Sequence, residues 1–146
     1  MDKNQNLQSF PRVAYSKDIS ILVPVNAIAG TKFFFSPYDI FDKSFIVGIK
    51  FNSQDLCNRV ILSTDRTATE DDGLSACITL VEKTGTQRIK DMPVNAFNQK
   101  ATGTYANKIN KLAKLDINIV KSFITWTGAS PTKNLYFYFT IYYLKK

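Results

Sequence analysis

The residues best equipped for chemistry are an acidic run, Glu70-Asp71-Asp72-Gly73 with Asp65 nearby, whose carboxylate oxygens are the hard ligands that calcium takes. Their spacing departs from an EF-hand loop, and three consecutive acids do not all face one ion without a special turn. A solvated loop with no metal is the expectation. A second group is basic: Lys108-Ile109-Asn110-Lys111-Leu112-Ala113-Lys114-Leu115 repeats lysine every third residue. One helical turn would stack Lys108 and Lys111 toward a phosphate; the alternative is an amphipathic connection with Lys108, Lys111 and Lys114 in water. A third group is aromatic. Trp126 with Tyr136, Tyr138 and Tyr142 could stack on a sugar, bury itself between subunits, or lie under a second sheet.

What is missing bounds the chemistry further. There is no histidine, which removes the usual neutral-pH base, the Ser-His and Cys-His nucleophile pairs and the commonest metal ligand. Cys57 and Cys77 are far apart, form no CxxC and cannot make a four-ligand zinc site by themselves. The six glycines are dispersed singly, so no phosphate-cradling loop is present. A non-enzymatic chain without catalytic residue or cofactor is expected.

The elements that must position these side chains read as strands. Isoleucine, valine, threonine and the aromatics account for 54 of 146 residues, while glutamate occurs only at Glu70 and Glu82. Ile19–Val25 is a strand with Pro24 near its end, and Ala29-Gly30 turns the chain into Thr31–Phe35 before Ser36-Pro37-Tyr38-Asp39 breaks it. Ser44–Asn52 alternates with Phe45, Val47, Ile49 and Phe51 on one face and Ile46, Gly48, Lys50 and Asn52 on the other. Val60–Ser63 is a further short strand, and residues 64–73 form a polar loop. Ala76–Lys83 and Gln87–Lys90 make a hairpin through Thr84-Gly85-Thr86. Val94 and Phe97 anchor an extended step, and Ala106–Ala113 allows one or two helical turns. Leu115–Val120 pairs with Ser122–Trp126.

The last strand is the most informative. Leu135, Phe137, Phe139, Ile141 and Tyr143 form a core stripe, and Tyr136, Tyr138, Thr140 and Tyr142 face the other way. Tyrosines there are apolar enough to bury and suit an interface. The expected fold is all-β: an antiparallel β-sandwich of jelly-roll type with at most one short helix. Residues 1–12 read as a flexible arm and 13–146 as one domain.

Net charge is +7, and the whole excess lies beyond residue 99, where eight lysines face Asp116 alone. Such asymmetry suits an acidic partner protein or, less strongly, nucleic acid, since lysine without arginine reads bases weakly. The start, Met1-Asp2-Lys3-Asn4, has no apolar signal segment, and no apolar run is long enough to span a bilayer.

Lys43-Ser44-Phe45-Ile46-Val47-Gly48-Ile49, Leu80-Val81-Glu82-Lys83-Thr84-Gly85, Asp91-Met92-Pro93-Val94 and Lys121-Ser122-Phe123-Ile124-Thr125-Trp126 follow one another in an order that resembles small virion proteins of tailed bacteriophages. The likeness is to the crAss-like, Bacteroidetes-phage type and runs over roughly residues 43–143. It implies a β-sandwich subunit of a capsid-associated, collar or tail ring, made in the host cytoplasm and located in the virion, and it carries over no catalytic residue. The expectation is a homo-oligomer touching other virion proteins, with Phe10, Trp126, Tyr136, Tyr138 and Tyr142 at interfaces. A carbohydrate-binding, host-surface receptor module is the first alternative. A nucleic-acid-binding protein using the basic third is the second.

Overall fold

Extended backbone forms where β-branched and aromatic residues recur at every second position. A computed structural model of the chain describes residues 14–53, 63–98 and 114–146. In chain order the elements are β1 (Tyr15–Val23), β2 (Lys32–Phe34), α1 (Asp39–Asp42), β3 (Ser44–Asn52), β4 (Asp65–Thr67) and α2 (Glu70–Leu74). Then come β5 (Ala76–Val81), β6 (Gln87–Pro93), β7 (Phe123–Trp126) and β8 (Asn134–Lys145). Single 3₁₀ turns occupy Val94–Phe97 and Ile119–Lys121. Gly30 (φ 93°) and Gly85 (φ 91°) hold left-handed backbone at two of the turns, where a side chain would be strained.

The strands form two sheets. One runs β1-β8-β3, with β4 lying parallel beside the start of β8; the other runs β2-β7-β5-β6. Every other strand pair is antiparallel. The chain crosses between sheets from β1 to β2, from β2 to β3, and again before β5. It returns through Leu115, bridged to Ile46 of β3, before β7 and β8 close the two sheets. This interleaving makes the all-β sandwich a jelly roll.

Between the sheets lies one core, with Ile19, Ile21, Ile49, Phe51, Leu135, Phe137 and Phe139 packed against Ile78, Leu80, Ile124 and Trp126. Phe51 meets Phe137 at 5.9 Å and Phe139 at 5.7 Å between ring centroids, and Trp126 meets Phe137 edge-on at 6.3 Å. Truncating any of these Phe residues to Ala would cost about 3–5 kcal/mol.

Four expectations change in detail. On β3 the register shifts between Ile46 and Gly48, so Ile46 is buried together with Ile49 and Phe51 while Phe45 and Val47 are only partly covered. The extra residue of a β-bulge switches the face that alternation assigns. Second, Leu115–Val120 is no strand paired with β7. Leu115 bridges Ile46, Ile117 bridges Glu82, and the chain then turns at Ile119–Lys121, tied by the Ser122 hydroxyl donating to the Asn118 carbonyl at 3.0 Å. Third, residues 64–73 are not a solvated loop: they contain β4 and α2, with Asp72 buried. Fourth, two short α-helical segments occur where at most one was expected. The expected strand Val60–Ser63 apart from Ser63, which lies in a turn, the helical turns at Ala106–Ala113, the arm at 1–12 and Cys57 lie outside the described residues.

Candidate functional site

Tyr136, Tyr138 and Tyr142 lie on the outward face of the β1-β8-β3 sheet, because β8 buries its odd-numbered residues and leaves these three partly covered. The Tyr136 and Tyr138 rings stack at 6.4 Å with planes 20° apart. Tyr142 stands about 13 Å from Tyr138 along the strand, with Thr140 between them.

Thr140 is the centre of a polar row that crosses three strands. Its hydroxyl donates to Asp18 of β1 at 2.7 Å and accepts from the Asn52 amide of β3 at 2.9 Å. Thr140 and Asn52 are both buried. Beside this row the aromatic pair is extended by Leu22, which is opposite Tyr136 in register and 39% exposed. A cleft of about 410 Å³ is lined by Ser20 and Leu22 of β1, by Lys32 and Phe34 of β2, and by Tyr136.

Trp126 does not join this face. It is 4% exposed in the core, and its indole N–H donates to the Ala129 carbonyl at 3.0 Å, so the ring needs no outside partner. Its expected interface role is corrected on that ground: Ile124 and Trp126 share the inward face of β7. Lys114 is exposed, one residue before Leu115 and thus at the far edge of the sheet, beyond β3. Phe10, Lys108 and Lys111 lie outside the described residues.

Comparison with family models, with curated proteins and with solved structures finds no match. The chain's own geometry therefore carries the functional reading.

The remaining chemistry-bearing groups are spent on structure. Asp72 accepts from both terminal guanidinium nitrogens of Arg66, one at 2.9 Å, and from the Thr69 backbone N–H at 2.8 Å. Burial pushes the Asp72 carboxyl up, but these donors outweigh it and hold the group below the usual carboxylate range. Thr69 reciprocates toward the Asp72 N–H, closing a capping box on α2. The acidic run thus has its one buried carboxylate committed. Among the described residues no group of three or more His, Cys, Asp or Glu could hold a metal ion.

Cys77 is partly buried, and desolvation with help from Asp91 raises its thiol above the ordinary value, which disfavours the reactive thiolate. Part of the basic excess is also internal. Lys146 pairs with Asp116 at 2.8 Å, and Lys145 lies 4.7 Å over the Tyr15 ring. Among the described residues no helix is long and apolar enough to cross a membrane.

The polar row and the cleft were not singled out from sequence. Their signal is Leu22, an apolar residue breaking the Ser16, Asp18, Ser20 face of β1.

Proposed function

We propose that the chain is a non-enzymatic structural subunit of a bacteriophage particle, which assembles with copies of itself and contacts other virion proteins. The observation that carries this reading is the row of Tyr136, Tyr138 and Tyr142 on the outer face of the central strand β8. Tyrosine contributes large apolar area with little rotamer entropy to lose, and it is enriched where protein surfaces are buried against one another. Leu22 extends the apolar area beside Tyr136. Double-sheet jelly rolls recur in viral capsid domains, an analogy of fold that agrees with the reading without deciding it. The phage setting rests on the sequence resemblance, and the exposed Lys114, Lys121 and Lys133 offer contacts for an acidic neighbour.

Light scattering after size exclusion tests this, at low and high salt, on the native chain and on Tyr138→Ala. A discrete multimer that survives high salt and falls to a smaller species in Tyr138→Ala, with far-ultraviolet dichroism unchanged, is the expected result. A native chain that stays monomeric at every concentration sinks the reading.

A second reading has its own observation. The stacked Tyr136–Tyr138 pair lies next to the Asp18–Thr140–Asn52 row, the mix of ring faces and hydrogen-bonding groups that a sugar engages. A glycan array that is positive for the native chain and negative for Tyr138→Ala, with the molar mass identical, would favour it.

A further inference from the structure

We infer that β1 is a self-complementary sheet edge through which a second copy of this chain adds antiparallel to β1, joining two β1-β8-β3 sheets into one. The inference rests on the self-assembly reading and names the contact that begins it.

The four sheet edges are not equivalent. β6 is guarded by Arg88, Lys90, Asp91 at φ 49°, Pro93 and two register irregularities against β5. β3 is covered by bridges from Leu115 and Asn98, and β2 has three residues. β1 is nine residues long and pairs with β8 in unbroken register from Tyr15 to Val23. Its outer side has no backbone partner among the described residues, and the cleft along Ser20 and Leu22 leaves space there.

The direction of the free groups follows from β8. The Tyr136 carbonyl accepts from the Ala68 N–H at 2.9 Å, so even-numbered residues of β8 aim their backbone groups toward β4 and β3. Odd-numbered residues then aim at β1, where they meet Tyr15, Lys17, Ile19, Ile21 and Val23. Ser16, Asp18, Ser20 and Leu22 are left presenting N–H and C=O outward.

An antiparallel pair of β1 strands centred on Ile19 sets Ser16 opposite Leu22 and Asp18 opposite Ser20 of the other copy. All four outward residues of each strand are then in hydrogen-bonded positions, giving eight bonds across a two-fold axis. All nine residues are used, and no like charges meet: Lys17 faces Ile21 and Asp18 faces Ser20. A centre on Asp18 or Lys17 would set a charge against itself, and a centre on Ser20 would leave Ser16 unpaired within the strand. The same register continues the outer face from Tyr136 through Leu22 and Ser16 to the Tyr142 of the second copy. The tyrosine rows of two subunits become one surface, and β-strand addition supplies the main-chain bonds.

Sedimentation equilibrium of the full chain tests this with Ser20→Pro, Ser20→Lys and Ser20→Asp. Proline at position 20 removes an outward N–H from each copy and leaves the bonds to β8 intact, so the fold persists and the dimer weakens by about tenfold or more. Lysine at 20 faces Asp18 twice and tightens the dimer, while aspartate at 20 loosens it, each by about two- to tenfold at low salt. Should Ser20→Pro fail to fold, the opposite signs of the two charge variants still decide. A Ser20→Pro chain that folds and pairs like the native one overturns the inference. So does a dimer that lysine at 20 loosens, which would mean Ser20 opposite itself. If Tyr138→Ala abolishes assembly while all three Ser20 variants leave it unchanged, the edge inference fails and the assembly reading stands. A native chain that never self-associates removes both.

Discussion

Thr140 donates its hydroxyl proton to Asp18 at 2.7 Å while accepting from Asn52 at 2.9 Å, so one buried side chain ties the three main strands of a sheet together. A hydroxyl bonded to a carboxylate is shorter and stronger than a neutral pair. Among the described residues, Asp18 and Asn52 both meet at this one hydroxyl oxygen.

Replacing Thr140 with Val keeps the shape and removes the hydroxyl, leaving the Asn52 amide buried without an acceptor. A loss of about 1–3 kcal/mol is expected in urea unfolding at neutral pH. Asp18→Asn in the Thr140→Val background should then have little further effect, because the bond between them is already gone. Independent, additive losses from the two changes would contradict the coupling.

The Arg66–Asp72 pair predicts how stability responds to acid. The folded-state pKa of Asp72 is lowered, so its stabilisation is fully present above the unfolded carboxylate value, near ~4. It is lost as pH falls through the lowered folded value. Asp72→Asn should lower stability at pH 7 by about 1–3 kcal/mol, below the value for a fully buried pair because the Arg66 side chain is 40% exposed. The variant and native curves should converge toward the acid end. A constant offset from neutral to strongly acidic pH would show that the carboxylate charge is not what Arg66 uses.

Gly128 lies where the chain crosses Ser75. A Cβ at this position would be 2.8 Å from the Ser75 Cβ and 2.9 Å from the Trp126 ring. The approach is fixed, because Thr127 donates to the Ser75 carbonyl from its backbone N–H at 2.8 Å and from its hydroxyl at 3.0 Å. Gly128→Ala should therefore destabilise by about 1–3 kcal/mol through overpacking, read as a lower thermal midpoint. An unchanged midpoint would mean that the loop yields without resistance.

Period-two patterning carried the reading of the sandwich and of β8, because a central strand that pairs on both sides keeps its alternation from end to end. It failed at β3 for a physical reason: Val47 and Gly48 leave apolar residues in both phases, so nothing in the composition marks the bulge that exchanges them. The acidic run was misread although Thr69 and Asp72 have the spacing of a capping box. Arg66 is what turns that cap into a buried ion pair, and its approach depends on β4 lying beside β8. Of the three placements open to Trp126, burial under the second sheet is the one found, and its sharing a face of β7 with Ile124 favours that one. The Asp18–Thr140–Asn52 row was out of reach of sequence, as it joins residues 88 and 122 positions apart. Only the register of three strands makes them neighbours.

Burial of Trp126, the only tryptophan in the chain, also gives the molecule a built-in optical separation. The indole is shielded by Phe137, so its emission should be blue-shifted in the folded chain and move to longer wavelength when the core opens. The tyrosines on the far side of the sheet are the chromophores that association would perturb. Trp126 emission thus reports the opening of the core without a label, and the proposed association would be read at the tyrosines while that emission stays unchanged.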